Sequence, residues 1–401
     1  MEKQWITLFP DTFLWIKKDE GIIYNPKKYQ GFHFHINDKI EVVCSELLNP
    51  DNLYTTDFAS GDEEVRKWID SIMKICAGYL TSGTGKGPVS FKPILKILND
   101  ADYYVWEHQQ GFGGNLMLNV HELTFYLNNT ETGSDTWFRQ AIFPLKNCSQ
   151  LDRTSIISFI RYSKNPFLSN INLVGNIFLY PEYKKLIVEI AKLSVNFTIQ
   201  ITIQDFADHS RDIKGIQWPD HIRFNVLIDP SAIFACSRIS LCNIEVSASV
   251  TVFVSSENEY NPFLDQFGEI PIYRDARVIP IFDGDNLDFF ENNVFVGKED
   301  LDEIILTKRE IFMHQTLNTN DFGKLTILPN GSVYSNVNME PLATIENTVY
   351  SLVYKEITKG QSWFRIRDQA PCCDCVYQWL CPSPSNYELV IGKPDLCHIK
   401  P

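Results

Sequence analysis

No apolar run in this chain approaches the roughly 18–20 residues that a helix needs to cross a bilayer. Its opening, Met1-Glu-Lys-Gln-Trp-Ile-Thr7, has no basic stretch followed by an apolar one. A cytoplasmic protein without membrane contact is expected. Positive charge is short as well. Lys and Arg number 36 against 50 Asp and Glu, a net charge of −14, which argues against a nucleic-acid surface. A phosphate loop is missing too. Thr81-Ser-Gly-Thr-Gly-Lys-Gly-Pro88 comes near one, but Leu80 stands where the first glycine belongs and Gly87 follows the lysine. That stretch reads as a hinge. Finally, no cysteine lies between Cys76 and Cys148.

What is present describes a globular chain. Hydrophobic residues make up 44% and aromatic residues 13% of 401 positions, enough for two or three domains with their own cores. Strand patterns cover Thr12–Lys17, Gly21–Tyr24 and Gly31–Ile36. Ile40, Val43, Cys44, Leu47 and Leu48 then mark one helical face capped by Asn37. A short strand, Leu53–Phe58, leads to Asp62, the cap of a second helix with face Val65, Trp68, Ile69, Ile72, Met73 and Cys76. Three strands and two helices predict a winged-helix-like α+β unit. Its open third strand, near Phe32 and Phe34, is a candidate edge for capturing an extended peptide. His33 and His35 share the other face, where an ordinary polar surface is expected.

From Leu116 to Asn293 strands and helices alternate. Strands are expected at Leu116–Leu127, Ile171–Leu179, Asn196–Asp205, Ile222–Asp229, Ile244–Ser255 and Val278–Phe282, with helices at Arg153–Tyr162, Pro181–Leu193, Pro230–Leu241 and around Asn286–Phe295. This order argues an α/β fold with a parallel sheet, a barrel or part of one. Strand ends would carry Asp205, Asp208, His209, Asp229, Ser255, Ser256, Asp283 and Asp285. No nucleophile motif accompanies them, so turn and cap roles are expected. Gly323 to Asn336 then reads as a hairpin about Asn330-Gly331, of type I′, and Val349, Leu352, Val353 and Ile357 mark a helix.

Five of the ten cysteines crowd the tail. Cys372, Cys375 and Cys381 form a Cys-x2-Cys-x5-Cys run beside Cys373, and Cys397 follows. Two thiolates on a tight turn, a third soon after and a fourth returned by the chain suit a tetrahedral sulfur site. An iron–sulfur cluster, zinc, and thiols or disulfides are all open readings. Cys44, Cys76, Cys148, Cys236 and Cys242, scattered among apolar neighbours, read as reduced core thiols.

The tail resembles the SPASM extension of radical SAM peptide-modifying enzymes. Where complete, that extension carries a Cys-x(9–15)-Gly-x4-Cys hairpin, a Cys-x2-Cys-x5-Cys-x3-Cys run and a final cysteine, and holds two auxiliary 4Fe–4S clusters. Here Gly331 matches the hairpin glycine, but Asn336 takes the cysteine position and no cysteine lies between Gln315 and Asp321. Ser385 replaces the fourth cysteine of the run, while Cys372, Cys375, Cys381 and Cys397 match. The losses fall on one cluster, and the retained residues belong to the other. The family's catalytic Cys-x3-Cys-x2-Cys triplet is absent, and Asn172-Leu-Val-Gly-Asn-Ile177 is similar to a decayed Gly-Gly-Glu motif that grips SAM.

The tail, with the opening Leu8-Phe-Pro-Asp-Thr-Phe-Leu-Trp15, closely resembles the pseudo-radical-SAM proteins of the Bacteroidales GG-peptide system. That resemblance implies a peptide-recognition domain at 1–82, a degenerate radical-SAM-like barrel at 83–310 and a SPASM-like module at 311–401. It also implies a non-catalytic partner that binds a ribosomally made precursor peptide, an active radical SAM maturase, or both. One 4Fe–4S cluster on the four cysteines is expected and SAM is not. The alternatives are an oxidoreductase subunit relaying electrons through that cluster, or the same partner role with structural zinc.

Overall fold

The computed structural model describes residues 3–83, 89–93, 101–111, 113–127, 133–146, 149–232, 247–259, 261 and 275–399. The centre of the expected hinge, most of the helix expected at 230–241, and Cys148, Cys236 and Cys242 lie outside them.

The N-terminal part holds two three-stranded antiparallel sheets. β1 (Lys3–Leu8) lies between β5 (Thr55–Phe58) and β6 (Gly78–Gly83), while β2 (Phe13–Lys17), β3 (Glu20–Asn25) and β4 (Gln30–His35) form a meander. Helices Asp38–Leu48 and Glu63–Lys74 begin where the sequence places them. Asn37 accepts from the Lys39 and Ile40 amides, and Asp62 from Glu64 and Val65. The meander, both helices and the first sheet share one core around Ile6, Ile23, Phe34, Leu47, Trp68 and Ile72. Two expectations fail here. β1 adds a strand ahead of the meander, and Thr81-Ser82-Gly83 belongs to β6, because β1 supplies the backbone partners that a polar linker would lack.

β7 (Glu122–Tyr126), β8 (Asn170–Val174), β9 (Asn196–Thr202), β10 (Ile222–Ile228), β11 (Ala248–Val254) and β12 (Arg277–Pro280) follow as parallel neighbours in chain order. Several expected strands are shorter than their apolar runs. Leu116–Asn119 belongs to a 3-10 turn, and Ile203–Asp208 is a helix capped by Thr202. β13 (Lys324–Ile327) pairs parallel with β7, and β14 (Ser332–Tyr334) and β15 (Ala343–Thr344) extend the same nine-stranded sheet. The hairpin thus continues the parallel sheet. Its turn is not type I′. Gly331 alone has positive φ, +84°, and its amide bonds Leu328 O at 2.9 Å. Pro329 fixes a negative φ at the first central position, which leaves a type I turn with a left-handed glycine.

Along the parallel strands side chains alternate cleanly. Leu123, Phe125, Ile171, Leu173, Phe197, Ile199, Phe224, Val226, Val250 and Val252 join the main core. The intervening positions carry a polar row on the other face. Asn172 donates to Thr124 Oγ1 at 3.2 Å, Gln200 to Asn172 Oδ1 at 3.1 Å, and Asn225 to Gln200 Oε1 at 2.7 Å and Thr251 Oγ1 at 3.0 Å. Thr124 is level with Asn172, whereas Gln200 is level with Val174. Asn225 is level with Gln200, whereas Thr251 is level with Leu227. The row therefore climbs two residues at every second strand, a regular stagger across the parallel sheet. Among the described residues no helix is long and apolar enough to cross a membrane.

Candidate functional site

The C-terminal ends of the parallel strands are covered by packed side chains. The segment 133–146 follows β7, where the resembling family would place its catalytic cysteines. Phe143 packs with Leu227, Phe253 and Ile281, joined by Trp137. The Phe143 ring stands edge-on to Trp137 at 4.9 Å and to Phe253 at 5.1 Å. On the other side Leu145 packs with Tyr126 and Val174, backed by Phe138 and Ile142. These partners lie at or beside the last residues of β7, β8, β10, β11 and β12, where α/β barrels conduct their chemistry. Beneath this cap lies a polar lumen of about 430 Å³, partly open to solvent and lined by Thr124, Gln200, Asn225, Thr251, Asp321 and Asn336, among others.

The candidate strand-end residues serve local structure. Asp205 accepts from Asn176 Nδ2 at 2.9 Å and Thr202 Oγ1 at 2.7 Å. Asp208 accepts from Gln204, and His209 meets Asp212 at 3.2 Å. Asp229 caps Ser231 and Ala232, and Ser255 bonds Glu259. Asp283 accepts the Asp285 and Asn286 amides. After β8, Gly175 takes a φ of +117° and buried Asn176 accepts from the Phe178 amide, so this turn is occupied by its own capping bonds.

The tail brings Cys372, Cys375, Cys381 and Cys397 to one small recess, partly open to solvent. Cys372–Asp374 form a single 3-10 turn, with Cys375 N bonded to Cys372 O and Cys381 N to Tyr377 O. Cys397 is held by a bridge to Val296. Cys373 does not line the recess; its carbonyl accepts from Lys17 Nζ at 2.8 Å. Burial pushes the Cys381 thiol up to about 12 and Cys375 up to about 11, and raises Cys372 and Cys397. Arg367 works against that rise at Cys381 and Cys372. Burial opposes the charge of Arg367 itself, yet Cys381, Glu388 and Cys372 hold it above the ordinary guanidinium value.

Four thiols around one recess beside a fixed cation are a donor set that fits an iron–sulfur cluster. Among the described residues no three His, Cys, Asp or Glu side chains are placed to hold a single metal ion.

Asn336 and Ser385, expected from the resemblance to stand at cysteine positions, belong to a hydrogen-bonded wall. Asn336 Nδ2 donates to Asp321 Oδ2 at 3.0 Å and to Asn386 Oδ1 at 2.7 Å. Ser385 caps the helix Asn386–Ile391 reciprocally with Glu388, whose other oxygen accepts from Arg367.

β4 is the outer strand of its meander, so its backbone edge has no strand partner among the described residues. Phe34, 9% exposed, points into the N-terminal core against Trp68, with Phe32 beside it. These rings anchor the strand and leave its edge to any partner. The opposite face docks on the cysteine module. His33 stacks on Tyr377 at 5.8 Å, and Phe13, Ile22 and Tyr24 pack with Ile311, Val376 and Leu380.

No protein-family model and no curated protein matches the chain. Among solved structures, it is similar to Streptococcus suis SuiB bound to precursor peptide SuiA, at 11% identity and a TM-score of 0.45, over 98% of this chain and 99% of that one. It is also similar to SuiB bound to S-adenosylmethionine, at 11% identity and a TM-score of 0.41, over 97% of each. Both scores fall below one half, and the mixed α/β class rests on the strand order itself.

Proposed function

We propose that this chain is a non-catalytic pseudo-radical-SAM partner in the maturation of a ribosomally synthesised peptide. In this reading residues 1–82 capture the precursor peptide at the β4 edge, the barrel at 83–310 is a scaffold, and 311–401 hold one 4Fe–4S cluster on Cys372, Cys375, Cys381 and Cys397. The carrying observation is the apolar cap of Trp137, Phe143 and Leu145 over the strand ends. Packed side chains stand where a cofactor and substrate would have to meet. The tail's resemblance to the pseudo-radical-SAM proteins of the Bacteroidales GG-peptide system supplies the peptide-maturation setting. A cluster held by thiolate at every corner supplies electron transfer or a structural cross-link, with no open iron for substrate.

Affinity capture of the tagged chain with a co-expressed precursor peptide and radical SAM maturase tests the proposal. Retention of either supports the partner role; retention of neither refutes it.

A further inference from the structure

We propose that Arg367 is the positioning cation of the cysteine centre, setting its reduction potential, and that Glu388 fixes the guanidinium in place. This rests on the reading of the four cysteines as cluster ligands. Arg367 is 9% exposed and lines the recess. Its whole fork is engaged. Nε donates to Pro382 O at 2.5 Å, Nη2 to Glu388 Oε1 at 2.9 Å, and Nη1 to Cys372 Sγ at 3.7 Å. The Arg367 carbonyl accepts from Gln378 Nε2 at 2.6 Å, which anchors its backbone to the same wall. Glu388 is anchored in turn, because its Oε2 accepts the Ser385 amide at 2.7 Å. Among the described residues lining the recess, Arg367 is the single cation and Asp395 the single anion.

One-electron reduction, with the electron supplied by an added reductant, puts one more negative charge on the centre. A fixed cation that also donates to a ligand sulfur favours the reduced form, the more so because Arg367 is itself buried. Glu388 lies behind the guanidinium and opposes it. Removing Arg367 and neutralising Glu388 must therefore move the potential in opposite directions. A purely structural role for the pair would not give that sign reversal. Lysine at 367 keeps the charge but not the planar fork.

The test is an anaerobic potentiometric titration of the loaded full-length chain, followed by electron paramagnetic resonance, with iron content measured in parallel. Arg367→Met is expected to shift the one-electron equilibrium about tenfold toward the oxidised form, ~59 mV downward. Glu388→Gln is expected to shift it upward, and Arg367→Lys to fall between Arg367→Met and wild type. If Arg367→Met does not fold or load, the opposite shifts of Arg367→Lys and Glu388→Gln decide. Potentials unchanged across loaded variants, or shifted in the same direction, overturn the assignment of Arg367. A wild-type chain that takes up no iron overturns the cluster reading beneath it.

Discussion

Gln140 grips the backbone of Phe282 with both ends of its amide, donating to the carbonyl at 2.8 Å and accepting from the N–H at 2.8 Å. A side chain here completes a ladder pair just past β12 and ties the cap to the barrel rim. Gln140→Ala leaves both backbone groups unpaired and should cost about 1–3 kcal/mol. Phe143→Ala empties a packed aromatic site and should cost about 3–5 kcal/mol. Urea unfolding measures both. A neutral Phe143→Ala would mean that the cap is not packed as described.

The filled mouth also predicts an unresponsive barrel. A ligand that binds the native chain raises its melting temperature by mass action. S-adenosylmethionine at saturating concentration should leave the transition where it is. A concentration-dependent rise would place a working cofactor site under the cap.

Asp321 gives a pH signature. Burial raises its carboxyl above the ordinary value, against the lowering effects of Asn336 and Arg365. The native state therefore holds this proton more tightly than the unfolded chain does. Its contribution is complete below the unfolded carboxylate range near pH 4 and is lost as pH rises through the folded value. Relative to wild type, Asp321→Asn should gain stability between about pH 4 and neutrality. Denaturation curves across that range check the sign. A stability difference, variant minus wild type, that falls as pH rises would contradict it.

Peptide capture at β4 predicts a local cross-link. His35 is exposed beside the free edge, while Phe32 and Phe34 face the core. Benzoylphenylalanine introduced at position 35 should cross-link the precursor peptide on irradiation, and the same group at exposed Tyr162 should not. Equal labelling at both positions would remove β4 from the account.

Much of the N-terminal unit was legible because local chemistry dictates it. Asn37 and Asp62 are strong caps, and the apolar faces behind them have helical spacing. β1 and β6 were harder. Their polar and small residues become strands only through pairing with each other, information that is distant in the sequence. The lumen was missed for a different reason. Thr124, Asn172, Gln200, Asn225 and Thr251 sit singly among β-branched residues, and only their period of two, compared across strands, reveals a polar face. Trp137, Phe138 and Phe143 follow no period at all, so nothing local marks them as a barrel cap. The four cysteines were visible by spacing alone. Arg367 was not, because the guanidinium's position is fixed by Glu388 and by the Pro382 carbonyl, contacts that spacing does not reveal.

The central claim joins one retained cluster to a barrel without one. Quantifying iron, acid-labile sulfide and zinc in anaerobically reconstituted chain tests it most directly. The account predicts about four iron and about four sulfide per chain, abolished by Cys381→Ala and untouched by Cys373→Ala. Zinc without sulfide, or iron retained in Cys381→Ala, would contradict it.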